Sequence, residues 1–478
     1  MPMSEVSKFN GNHNSSMTEQ LRAHVRTYGQ EHLLEFWDQL SVVAKNRLAD
    51  QIRQVDFSEL QQLYEGKTIA RDFAELASRA KQPPAIRLRS EKNPVGREEA
   101  VAQGVNLLEE GQVGMILVAG GQGSRLGFPH PKGMFPLGPL SERTLFQIIF
   151  ERLQAVGKRY NVRIPLYLMT SPATHDETVA FLDQHERFGL PQEDLMIFCQ
   201  GTMPAVDAAE GRVLLAETDS LALSPDGHGG MLAAMQNAGC LDDSLRRGLE
   251  VLFYQQVDNP MVSVCDPEFL GYHVLAGSEL SSQVITKREP KERVGVVVAV
   301  DHRLEIVEYS DLPDEMAEMR DGDGSLYHWA GSIAVHAFDV NFLVRMVDNG
   351  DALPFHKAHK QVSYVNSAGK RIDPDSPNAI KFERFIFDLL PAAERAIVVE
   401  IDPAEGFEPV KNGDGKKETP ETARLAMARQ HRQWLRVAGA TVPDDVLVEI
   451  NPLFALDADE LALKIQPGMQ INKPTYFQ

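Results

Sequence analysis

At 478 residues the chain is too long for one hydrophobic core, so two or three domains are expected. Lys plus Arg at 48 against Asp plus Glu at 68 leaves a formal charge of −20, a field that repels nucleic acid and admits small phosphates only where a local basic pocket overrides it. No apolar run approaches the ~20 residues that span a bilayer and residues 1–16 lack the apolar centre of a secretion signal, so the expectation is a cytoplasmic protein without a membrane partner.

Residues 17–81 carry Leu21, Val25, Leu33, Leu34, Phe36 and Leu40 near helical spacing and predict a helical cap or arm. The stretch 82–94, rich in proline and basic residues, reads as a linker. From there the pattern alternates. A strand over 114–120 runs into a glycine-rich loop, and a helix follows over 141–156 with Ser141 as its N-cap. Strand 164–171, a helix near 175–185, strand 195–200, a short helix after Gly230 and strand 251–259 come next. Alternation at these lengths predicts a mostly parallel sheet covered on both faces. Beyond 280 the reading turns toward β, with a hairpin turning at Asp301 to Arg303, as a β-rich insertion in the α/β body. Helix 379–390, strand 396–401 and helix 421–439 then lead into a C-terminal domain. Cys199, Cys240 and Cys265 are too scattered for a disulfide framework or a zinc knuckle and are expected as buried thiols.

The loop after the first strand reads LVAGGQGSRLGFPHPKG, residues 117–133. Glycines after a strand bring backbone N–H groups against phosphate. A Walker loop fails here, because Lys132 is followed by Gly133 and not by Ser or Thr. A dinucleotide fingerprint starting at Gly121 fails too, with its last glycine one place late at Gly127. Pro129 and Pro131 keep the loop from running straight into a helix whose N-terminus could hold phosphate, so the charge has to come from Arg125 and Lys132 on its two arms.

The composite pattern LAGGxGxRLGxxxPKG is matched from Ala119 to Gly133 in all but its first residue, Val118. It resembles the signature of nucleotide-sugar pyrophosphorylases, in particular the UDP-N-acetylhexosamine and UDP-sugar pyrophosphorylases. QGTMPAV (200–206), SPDGHGGM (224–231), QVDNPM (256–261) and FEPVKNGDG follow in that family's order. The resemblance implies a Rossmann-like nucleotide-diphospho-sugar transferase α/β domain with a mixed sheet over 106–390, a helical N-terminal arm over 1–105 and a small C-terminal α/β domain over 391–478. It implies UTP and a sugar 1-phosphate as substrates and pyrophosphate as product.

By the same resemblance Val118, Ala119, Gly120, Gly121, Gly123, Gln200 and Gly227 bind the nucleotide, with Gln200 at the uracil edge. Arg125 holds the pyrophosphate portion, Lys132 the α-phosphate and Lys411 the incoming sugar phosphate. Asp258 is the expected Mg²⁺ (or Mn²⁺) ligand, the alternative being that it caps its turn. His228, Gly229, Thr286, Lys287, Phe385 and Phe387 fall in the sugar-binding segments, although both phenylalanines also read as helical core.

Two departures bear on the sugar. His228 stands where acetylglucosamine enzymes commonly carry asparagine and echoes the UDP-glucose enzymes, and Thr286 stands where the acetylhexosamine enzymes commonly carry glutamate. The remaining segments favour N-acetylglucosamine 1-phosphate, with glucose 1-phosphate or a broad sugar range as the alternative and a catalytically silent nucleotide-sugar sensor as the more distant one. His356 and His359 could share a helix face as zinc ligands, but no HExxH glutamate accompanies them and zinc is not expected.

Overall fold

The alternating segments assemble into one ten-stranded sheet in this computed structural model, which describes residues 18–66, 75–76, 79–88, 90–349 and 353–478. The chain divides into two compact units. The larger takes in 72–200, 230–353 and 386–478, and the smaller takes in 1–71, 201–229 and 354–385. These units cut across the boundaries expected at 105 and 390.

The sheet belongs to the larger unit. Its strands are β1 (Ala85–Ile86), β2 (Val113–Val118), β3 (Leu166–Thr170), β4 (Leu195–Cys199), β5 (Val251–Gln256), β6 (Leu280–Thr286), β7 (Val296–Val300), β8 (Arg303–Val307), β9 (Ala330–Asp339) and β10 (Ala396–Glu400). The order is β1-β10-β6-β9-β5-β2-β3-β4, with the β7–β8 hairpin attached through β7 to β9. Along that order only β9 runs antiparallel to its neighbours. The region beyond 280 is therefore no separate insertion, because β6 and β9 are central strands of the sheet. Nor is 82–94 only a linker, since β1 forms the sheet's edge beside β10.

Both faces are covered, as nearly continuous apolar strands require. On one face pack α1 (Arg97–Glu109), α2 (Leu145–Tyr160), α3 (His175–Gln184), α4 (Pro267–Leu275) and α5 (Pro420–Val437), around Leu107, Phe146, Phe150, Phe253 and Phe269. On the other, Met231, Leu241, Tyr254, Phe338 and Leu343 fill the core. The N-cap of α2 is Thr144, whose hydroxyl accepts from Gln147 N at 3.2 Å, and not Ser141. Ser141 donates to the buried Glu449 instead, at 2.5 Å. Cys240 and Cys265 are buried as expected, but Cys199 at the end of β4 is exposed. No helix of the described residues is long and apolar enough to cross a membrane.

In the smaller unit the helical reading of 17–81 holds for helices over 18–27, Val42–Gln54 and Phe57–Glu65, while 67–74 lies outside the described residues. These helices share a core with the other two segments of the unit, Leu33, Leu48, Ile52 and Phe57 meeting Val206, Leu215, Val365 and Phe382. The helix expected over 379–390 is instead a strand, Ala379–Arg384, followed by a short 3-10 turn, Ile386–Ala392. Ala379, Ile380 and Phe382 are buried, and pairing with strand Phe355–Lys360 decides the conformation that spacing left ambiguous. His356 and His359 thus sit on a strand, where residues three apart point to opposite faces, and they cannot present two nitrogens side by side.

Candidate active site

The glycine loop begins where β2 ends. Ala119 N donates to Met169 O at 2.8 Å, so the loop leaves the sheet between β3 and β5. It then doubles back on itself. Gly123 N donates to His130 O at 2.8 Å and Lys132 N to Gly121 O at 3.0 Å, which sets Arg125 and Lys132 on opposite arms. Short 3-10 turns, Ser124–Leu126 and Lys132–Met134, stand where a helix N-terminus would otherwise be, as the two prolines predict.

The glycines serve different ends. A Cβ on Gly123 would come within 2.8 Å of Phe128 and one on Gly133 within 2.2 Å of the Phe146 ring, so both are required by the folding of the loop. A Cβ on Gly120 would meet Gln200 Oε1 at 2.5 Å, which shows the Gln200 amide lying against the loop backbone. At Gly121 nothing stands within 4 Å, and this stretch of backbone is open to a ligand.

The cationic arms converge on the end of β5. Lys132 is half-buried; burial holds its ammonium below the usual lysine range, Asp258 pulls the other way, and Arg125 and Lys411 add to the depression. Backbone bonds hold this grouping together. Val410 N donates to Asp258 O at 2.8 Å and Gly413 N to Arg125 O at 3.0 Å, clamping the segment that carries Lys411 against both. Lys411 Nζ is 3.4 Å from Glu418 Oε1.

The turn after β5 is capped by Asn259 and not by Asp258. Asn259 is 3% exposed; its Oδ1 accepts from Met261 N at 3.2 Å and Glu408 N at 3.3 Å, and its Nδ2 donates to Gly406 O at 2.9 Å. The Asp258 carboxylate takes no hydrogen bond among the described residues, and its charge favours the Lys132 ammonium. A second residue that sequence reasoning missed is Arg152 of α2, whose guanidinium donates to Pro260 O and, at 3.1 Å, to Val262 O. Burial pushes its pKa down to about 10. Nothing in helical periodicity marks an arginine aimed at a distant turn, whereas Asn before Pro was a visible turn signal.

Among the other expected sugar residues of the larger unit, Thr286 donates to Glu400 Oε1 at 2.5 Å. Lys287 is 4% exposed, donates to Pro290 O at 2.8 Å and is held below the usual lysine range by burial. Phe387 lies half-buried on the core.

In the smaller unit the loop of His228 is seated on strand Ala379–Arg384. Arg384 N donates to Asp226 O at 2.7 Å. Gly227 has φ of 86°, and a Cβ there would strike Arg384 O at 2.3 Å; one on Gly229 would meet Phe385 N at 2.6 Å. Phe385 carries histidine rings at 5.4 Å (His228) and 4.6 Å (His356). His356 enters here as a ring neighbour of Phe385.

Chemically, the larger unit offers an anion cradle of three cations, an open glycine backbone and one uncommitted carboxylate. It holds no group of three or more His, Cys, Asp or Glu side chains that could cage a metal, among the described residues.

Residues 60–460 match the family model described as UTP–glucose-1-phosphate uridylyltransferase. The chain is 34% identical to UDP-N-acetylhexosamine pyrophosphorylase-like protein 1 of Homo sapiens, covering 95% of this chain and 96% of that one. It is 35% identical to the UDP-N-acetylglucosamine pyrophosphorylase of Saccharomyces cerevisiae, covering 91% and 94%. The crystal structure of the Trypanosoma brucei uridine diphosphate N-acetylglucosamine pyrophosphorylase superposes with a TM-score of 0.79 over 99% of both chains, a likeness of fold at 23% identity.

Proposed function

Because the chain belongs to the UTP–glucose-1-phosphate uridylyltransferase family, we propose that it makes UDP-N-acetylglucosamine and pyrophosphate from UTP and N-acetylglucosamine 1-phosphate. The convergence of Arg125, Lys132 and Lys411 on Asp258 beside the open Gly121 backbone carries this reading. A phosphate oxygen of the sugar phosphate attacks the α-phosphorus of UTP; the new P–O bond forms as the bond to the β-phosphate breaks, and pyrophosphate leaves on the opposite side. No covalent intermediate is needed, so the side chains position anions and offset charge. Lys132 serves the α-phosphate, where charge develops, Arg125 the departing pyrophosphate and Lys411 the attacking phosphate. Gln200, fixed against Gly120, offers its amide to the uracil edge.

A divalent cation, Mg²⁺ or Mn²⁺, suits a single free carboxylate better than zinc would, since such ions are held by one or two carboxylates with phosphates and water. Asp258 would hold it, and it would neutralise phosphate charge in the transition state.

Pyrophosphate release from UTP with each of several sugar 1-phosphates tests the reading. The expected result is a higher kcat/KM for N-acetylglucosamine 1-phosphate than for glucose 1-phosphate. Equal or better turnover of glucose 1-phosphate removes the sugar assignment, and no release with any sugar removes the activity.

A further inference from the structure

A cavity of about 470 Å³ lies in the larger unit between the N-terminal ends of α1 and α4 and the turn Pro403–Gly406. Its lining includes neither the glycine loop nor Asp258 nor Lys411. Ile86, Phe269, Tyr272, Val399 and Ile401 make its apolar wall. Its two arginines are already committed: Arg97 pairs with Glu268 at 2.8 Å, and Arg87 pairs with Glu400 at 2.8 Å while lying 3.6 Å over the Trp329 ring. The other charged groups are all acids, namely Glu91 and Glu405 together with Asp266 and Asp402, which also cap their turns by accepting from Glu268 N at 3.1 Å and Ala404 N at 2.9 Å. Burial, with Glu268 nearby, pushes the Asp266 carboxyl up to about 6. At the cavity wall Gln283 of β6 is 3% exposed, and its side-chain amide has no hydrogen-bond partner among the described residues. Its amide atoms are not among the fully enclosed unpartnered polar atoms of the described residues, so they face the cavity and are open to whatever enters it.

We propose that this cavity is a second binding site, taking a small organic cation with an aromatic or aliphatic body, such as an arylalkylamine. The acids attract the ammonium group, Gln283 accepts a hydrogen bond from it, and the apolar wall takes the body. Occupancy reaches the reaction centre through one short stretch of chain. Gly406, in the cavity wall, accepts the Asn259 amide that holds the turn beside Asp258, and the chain then runs directly from Gly406 to Val410 and Lys411. The coupling to turnover rests on the uridylyltransferase reading, whereas the binding does not.

Titration calorimetry of the full chain with 2-phenylethylamine tests the site, with 3-phenylpropionate as the anionic control. The expected result is saturable binding of the amine that persists at saturating UTP, with affinity at least about tenfold weaker in Glu405→Lys and in Gln283→Leu. Glu405 is exposed, so its variant keeps the test decisive if Gln283→Leu fails to fold. No heat with the amine, displacement by UTP, equal binding of the anionic control, or unchanged affinity in Glu405→Lys overturns the site. Pyrophosphate release is expected to change with the amine in wild type and not in Glu405→Lys; an unchanged rate with the amine bound overturns the coupling. A protein that binds the amine and releases no pyrophosphate under any condition supports the site and counts against the uridylyltransferase reading alone.

Discussion

Lys132 is the residue whose chemistry is most constrained. Its pKa lies below the usual 10.5 because burial and two neighbouring cations penalise the charged form, and only that form serves a phosphate. Activity that needs the ammonium is therefore present at lower pH and is lost as pH rises through the depressed pKa. The alkaline limb of kcat/KM is expected below the ordinary lysine range, and Lys132→Arg, charged throughout, moves that limb upward; an unmoved limb takes Lys132 out of the profile. Arg125→Ala and Lys132→Ala are each expected to lower kcat about 100-fold or more with Tm unchanged, and near-normal kcat in either refutes its role. Asn259 and Arg152 act one step back, holding the turn that presents Asp258. Asn259→Ala leaves Glu408 N and Gly406 O without their partner, at a cost of about 1–3 kcal/mol, which chemical denaturation would read as a lower midpoint.

At the scale of elements, the fit of α1 to α4 depends on two positions. A Cβ on Gly104 would lie 1.8 Å from Pro267 O, and one on Gly271 would lie 1.7 Å from Ala100 O, so each helix approaches through the other's missing side chain. Gly271→Ala is expected to force the helices apart at about 1–3 kcal/mol, seen as a lower Tm; an unchanged Tm would mean the pair tolerates separation. Elements bounded by strong local signals were legible. The hairpin turn was read at Asp301, and Asp301 and His302 both adopt positive φ, 49° and 68°, as a two-residue connection demands. The loop's two cationic arms were legible from Pro129 and Pro131. Strand Ala379–Arg384 was not, because Ile380, Phe382 and Phe385 fit either period and the partner that decides lies some twenty residues away at His356 to Lys360.

For the whole molecule, the obstacle to reading was distance along the chain. β1 and β10 are adjacent parallel strands separated by some three hundred residues, and no local pattern announces that a strand placed in the C-terminal segment belongs inside the central sheet. The boundary expected at 390 follows from that. A chain ending at residue 390 is expected to lose cooperative unfolding, because β10 fills the place between β1 and β6; a fragment that melts cooperatively would show the sheet closes without it.

One exposed thiol gives this arrangement an optical handle. Cys240 and Cys265 are buried, and burial pushes both thiols above the normal range, the first to about 12, so an alkylating dye selects Cys199. Its neighbour along the chain is Gln200, the amide laid over Gly120. A fluorophore installed there would sit one peptide bond from the side chain proposed to read uracil, and under that proposal would report nucleotide arrival in real time, without any turnover.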